Sequence, residues 1–246
     1  MQAVEPVKEA VQAGDADIVA CISGDTNHVD SFRSMLGSFS AFARDATWPY
    51  GSGGPNSMFA FITEHCMRST GARREDFGKI CVAQRDNARG IAHAMFQKPL
   101  TLDEYLGARV IADPIHLFDC VMPCAGGDGV LVMSEARARD LGLPFAQVRA
   151  ATERHNAYRD DPIMVRGGWS VDRDELYAMA GVKPDDLDFV QFYDDYPVIV
   201  MMQYEGHGLC AEGEGAEFVR AHTLDCNGSM PTNTSGGQLS MGQAGA

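Results

Sequence analysis

The stretch "SVDRDELYAMAGVKPDDLDFVQFYDDYPVIVMMQYEGHG", residues 170–208, restricts the fold more than any other part of the chain. It reads as helix, turn, strand, helix. Asp172 suits the first helix's N-cap, and Gly181 and Pro184 end that helix. "DFVQFY" has the composition of a strand, and Pro197 falls in the first turn of the next helix, where its missing N–H costs nothing. The same rhythm recurs twice. Val4, Val7 and Val11 lie at helical spacing before Gly14, and "DADIVACISGDT" follows as a short buried strand. "GGDGVLVMSEARARDLG" reads as a turn around Gly126, Gly127, Asp128 and Gly129, then a buried strand and a short helix. "VRAATERH" is a further candidate strand. Alternation of this kind implies an α/β protein.

Between these units the pattern changes. "TWPYGSGGPN", residues 47–56, is a breaker cluster. After it come amphipathic helical segments with no strong strand. "REDFGKICVAQRDNA" places Phe77, Ile80, Cys81 and Gln84 on one stripe, Gly71 stops the segment before it, and Thr101 with Glu104 has capping-box spacing. The expected division is 1–47, 48–118 (mostly helical), 119–146 and 147–246. A net charge of −14 disfavours nucleic acid, and no apolar run is long enough to span a membrane. The start lacks the basic and apolar regions of a signal peptide, and seven scattered cysteines fit a reduced, cytoplasmic setting. Cys120 and Cys124 have no second pair to complete a zinc site, the histidines show no ligand spacing, and no metal is expected.

Two stretches could carry chemistry. In "FVQFYDDYPV" a strand ends in Tyr193, Asp194, Asp195 and Tyr196, just before a helix, where open α/β sheets bind ligands. A tyrosine beside a carboxylate can transfer protons, although capping aspartates and core tyrosines account for the same residues. "NTSGGQLSMGQAGA", residues 233–246, has consecutive glycines that allow backbone N–H groups to approach an anion, and a flexible tail would look similar. His207, in "EGHGLC", lies past a helix end.

Taken in order, "CAGGDGVLVMSEARARDLG", "VKPDDLDFVQFYDDYP", "YEGHGLCAEGEG" and "NGSMPTNTSGGQLSMGQAGA" resemble the thiolase superfamily, in its sterol-carrier-protein-type branch. The resemblance implies a thiolase-like fold of two α/β halves with mixed sheets and a mostly helical loop domain between them. It also implies a dimer, acyl-CoA substrates with CoA as part of the substrate, no covalently bound cofactor, and a chain that continues beyond both ends of this one. Two departures are informative: Tyr193 stands at the branch's strand-end histidine and Gln243 at its loop histidine. That pattern resembles the thiolase-like aldolases of bacterial steroid side-chain breakdown, which cleave β-hydroxyacyl-CoA and work with a small OB-fold partner. The resemblance assigns catalysis to Tyr193, Asp194, Asp195, Tyr196 and Gln243, and substrate binding to His207, Asn233, Ser235, Gly236, Gly237 and Gly242. In this expectation Tyr193, tuned by Asp194 or Asp195, takes the β-hydroxyl proton, and N–H donors of the 235–243 loop, Gln243 included, hold the enolate. The alternatives are a thiolase or acyltransferase with a cysteine upstream of Met1, and a non-catalytic acyl-CoA- or lipid-binding scaffold.

Overall fold

A computed structural model describes residues 4–26, 48–51, 54–161 and 163–243. His28 and the end of the closing loop lie outside them. In chain order the elements are α1 (Val4–Ala13), β1 (Ile18–Asp25), α2 (Pro55–Thr70), α3 (Arg74–Ala88), α4 (Leu102–Leu106), β2 (Val110–Ala112), β3 (Ile115–His116), β4 (Gly126–Met133), α5 (Glu135–Asp140), α6 (Trp169–Ala180), α7 (Pro197–Gly206), α8 (Gly215–Ala221) and α9 (Gly237–Met241).

Local chemistry sets most of these boundaries. α2 and α6 end on glycines in the left-handed region, Gly71 at φ 70° and Gly181 at φ 67°, where a side chain would be strained. α4 opens with the expected capping box: Thr101 Oγ1 accepts from Glu104 N (3.2 Å) and Thr101 N donates to Glu104 Oε2 (2.8 Å). Pro197 opens α7. Asp172 is not a cap. α6 starts at Trp169, and Asp172 lies inside its first turn, paired with Arg154.

The core gathers around α7, which is buried from Pro197 to Tyr204. α2, α3, α6 and α8 pack against it. α3 also carries α9, and its stripe of Phe77, Ile80, Cys81 and Gln84 is buried as the periodicity predicts. Each large apolar side chain buried in this way contributes roughly 1.5–3 kcal/mol. Helices from the 55–106 region and from the 197–241 region therefore share one hydrophobic cluster. The β2–β3 hairpin is held to α3 by Asp119, which is buried and accepts from Arg74 Nη1 (2.5 Å), from His116 N (2.7 Å) and from the Tyr105 hydroxyl.

Strands depart from expectation in three ways. β1 and β4 pair antiparallel in unbroken register from Ile18↔Met133 to Asp25↔Gly126, but most of their residues are exposed rather than buried. An apolar run favours a strand without saying what covers it, and among the described elements only α1 packs broadly on this ribbon. Gly126, Gly127 and Gly129 lie within β4, not in a turn. A Cβ on Gly127 would approach Ser23 O to 3.0 Å, so close backbone approach explains a glycine there. "DFVQFY" and "VRAATERH" form no regular strand among the described residues. The first keeps only an isolated parallel bridge, Val190↔Thr232. Of the expected mixed sheets, the described residues show two antiparallel ribbons and two isolated parallel bridges.

Candidate active site

At the bridge, Val190 N donates to Pro231 O (3.0 Å) and Asn233 N donates to Val190 O (2.9 Å). Beyond it the neighbouring segment diverges, and side-chain amides take over the pairing. Asn233 Oδ1 accepts from Phe192 N (2.6 Å) while its Nδ2 donates to Phe192 O (3.0 Å). Gln203, from α7, does the same for the next residue. Its Oε1 accepts from Tyr193 N (3.2 Å) and its Nε2 donates to Tyr193 O (2.7 Å).

The two aspartates then turn in opposite directions. Asp194 is only 1% exposed and faces the N-terminus of α9, accepting from Gln238 N (2.9 Å) and Leu239 N (3.2 Å). Burial pushes its carboxyl up to about 6, against the downward pull of those N–H groups. Asp195 faces Tyr193 and Gln243. It accepts from the Tyr193 hydroxyl and from Gln243 Nε2 (3.2 Å), and burial raises its carboxyl above the usual range. Gln243 is placed by its backbone: its N donates to Met122 O (2.9 Å) and its O accepts from Cys124 N (2.9 Å).

Tyr193 is 45% exposed, so its ring borders solvent while its hydroxyl donates inward to Asp195. Its phenol is pushed above the ordinary tyrosine range, first by burial and then by the Asp195 charge. Two adjacent anions would repel each other. Asp195 therefore does not convert Tyr193 into a free-standing base, contrary to the tuning expected from sequence. The pair can act as a relay, in which Tyr193 receives a proton only while giving its own to Asp195.

Tyr193, Asp195 and Gln243 thus come together, and several other candidates do not. Tyr196 is buried, stacked on Phe59 with ring centroids 4.1 Å apart, and donates to Asn56 Oδ1 (2.6 Å), an architectural position. Asn233 has both ends of its amide on the Phe192 backbone rather than turned to a ligand. His207 lies past the far end of α7, stacked on Phe192 with centroids 5.4 Å apart, and burial lowers its pKa, favouring the neutral ring. Ser235 is exposed at the loop's turn.

The glycines answer to packing. A Cβ on Gly236 would meet Ala88 Cβ at 2.5 Å, one on Gly237 would overlap Asp194 Oδ2, and one on Gly242 would meet Cys124 Sγ at 2.8 Å. The N–H groups of Gly236, Gln238, Leu239, Gly242 and Gln243 all bond within the protein, so these amides are not the enolate-binding set expected from the loop. The residue that sequence reasoning missed is Gln203. Its signal was available: it is the one amide in the otherwise apolar run from Pro197 to Tyr204. Among the described residues no cluster of His, Cys, Asp and Glu could hold a metal, and no helix is long and apolar enough to cross a membrane.

The architecture that carries this site is thiolase-like. A solved structure of an "Ltp2-ChsH2(DUF35) aldolase" superposes with a TM-score of 0.81 and 29% identity, covering 98% of this chain and 64% of that one. Residues 150–246 match the family model described as thiolase C-terminal domain-like. A steroid side-chain-cleaving aldolase of Thermomonospora curvata is 32% identical over 96% of this chain and 64% of its own length. A 17-hydroxy-3-oxo-4-pregnene-20-carboxyl-CoA lyase of Mycobacterium tuberculosis is 32% identical over 78% of this chain and 52% of its own length. The chain belongs to the thiolase superfamily, and it spans between half and two thirds of the length of these two relatives.

Proposed function

We propose that this chain carries the proton-transfer groups of an enzyme that cleaves a β-hydroxyacyl-CoA by retro-aldol chemistry, in steroid or lipid side-chain degradation. The observation that carries the reading is the half-exposed Tyr193, hydrogen-bonded to the buried Asp195 beside Gln243. Similarity to two proteins named for such cleavages supports it. The substrate's β-hydroxyl gives its proton to the Tyr193 oxygen as Tyr193 passes its own to Asp195. The O–H electron pair becomes the new C=O bond, the Cα–Cβ bond breaks, and its electrons enter the thioester enolate. The proton held on Asp195 returns through Tyr193 to the α-carbon, giving a shortened acyl-CoA and a free ketone or aldehyde. Atoms and charge balance without an added oxidant or metal.

Gln243 orients Asp195 through the 3.2 Å contact and favours its ionised form. Asp194, Tyr196 and Asn233 act by position. CoA enters only as part of the substrate. The same reading takes the working form as a cytoplasmic homodimer that pairs with a small protein, by analogy with the ChsH2 (DUF35) chain named beside Ltp2 in the solved aldolase. Because the relay needs ionised Asp195, turnover should fall as pH drops through an ionisation above the usual carboxylate range. Product analysis tests the reaction. A β-hydroxyacyl-CoA, offered with and without a DUF35-type partner, should yield a carbonyl product and a shorter acyl-CoA. Turnover only of β-ketoacyl-CoA, and only with added CoA, would instead mean thiolysis.

A further inference from the structure

In α7, the run Pro197–Tyr204 is buried throughout, and Gln203, 4% exposed, is its only amide. A buried amide is costly unless its hydrogen bonds are made, and here two of the three go to one residue. Oε1 accepts from Tyr193 N (3.2 Å), and Nε2 donates to Tyr193 O (2.7 Å) as well as to Ile199 O (3.1 Å). Holding both the N–H and the C=O of one residue fixes the peptide planes on either side, and hence the direction of its Cα–Cβ bond. Asn233 holds Phe192 in the same way. Packing alone would accept leucine or methionine at this place, at no desolvation cost. The polar side chain therefore has a geometric task.

We propose that Gln203 is the positioning residue that aims the Tyr193 phenol at Asp195 and at the substrate's β-hydroxyl. This rests on the retro-aldol reading above. Gln203 acts only through the Tyr193 backbone, so its contribution should vanish when the phenol hydroxyl is gone.

The test is a double-mutant cycle in the purified enzyme. Gln203→Met keeps the volume and removes both bonds to Tyr193 together with the one to Ile199 O, and should lower kcat by about 10–10²-fold with KM changed little, as expected for a misplaced catalytic group. Adding Gln203→Met to Tyr193→Phe should slow the enzyme no further. Unchanged kcat in Gln203→Met, or a double variant slower than Tyr193→Phe by the full single-variant factor, would overturn the proposal. Gln203→Glu guards against a folding failure. Its ionised carboxylate accepts from Tyr193 N but cannot donate to Tyr193 O, whereas its protonated form can do both. Its kcat relative to wild type should therefore rise as pH falls, and a flat ratio would also overturn the inference. Full retro-aldol turnover by Tyr193→Phe alone would instead remove the reading on which it rests.

Discussion

The cluster joining residues 190–207 to 231–243 and the ribbon of β1 and β4 each bring together distant parts of the chain, but different forces hold them. The ribbon is a regular ladder of backbone bonds whose side chains are largely open to water, Ile22 at 82% among them. The cluster has almost no ladder. There, Asn233, Gln203 and Asp194 each bond named backbone atoms from buried positions. A ladder specifies pairing and tolerates changes of side chain on an open face. Buried polar groups matched to single partners specify where one atom sits, and losing one leaves its partner unsatisfied at high cost. Substitutions should therefore separate the two regions sharply.

The largest effect is expected at Asp195. Asp195→Asn keeps the shape and removes the proton acceptor, and steady-state kinetics should show kcat lower by about 10²–10⁴-fold, with thermal unfolding little changed. Wild-type kcat would detach the cluster's geometry from chemistry. Next is the pH dependence of stability at Asp194. Its folded pKa lies at about 6 against 3.8 unperturbed, so the folded state holds this proton more tightly. The contribution is fully present below 3.8 and is lost as pH rises through about 6. It amounts to about 3 kcal/mol. Denaturant unfolding of Asp194→Asn should lack this slope between those limits, and an identical slope would mean Asp194 is not the group responsible.

Gly237→Ala should cost about 2 kcal/mol or more, because an L side chain is strained at φ 60° and its Cβ would overlap Asp194 Oδ2. A midpoint within error of wild type would show that the loop can yield. Smallest is the ribbon. Ile22→Thr in the 246-residue chain should move stability by less than about 0.5 kcal/mol, and a larger loss would show that the exposed face is covered.

The comparison also separates what could be read from the sequence from what could not. Helix limits were legible where one residue decides them, as at Gly71, Gly181, Pro197 and the Thr101–Glu104 box. The meeting of Asp195 with Gln243, 48 residues away, followed from the order of family-like motifs and from no local periodicity. The division of labour between the aspartates could have been anticipated, since successive side chains in extended backbone point to opposite sides. Which of them faces the loop depends on where α9 docks, and no local pattern encodes that. Exposure of the β1–β4 ribbon was illegible for a related reason: Val130 and Leu131 look the same in sequence whether covered or bare. The glycines of the closing loop suggested ligand binding, yet contacts with Ala88, Asp194 and Cys124 account for them.

The central claim is that Tyr193 relays the substrate proton to Asp195. Its most direct test is single-turnover cleavage of a β-hydroxyacyl-CoA by Tyr193→Phe, which keeps the ring and removes only the hydroxyl. The account predicts normal binding of the thioester and a loss of at least about 10²-fold in the cleavage step. Cleavage at the wild-type rate would contradict it.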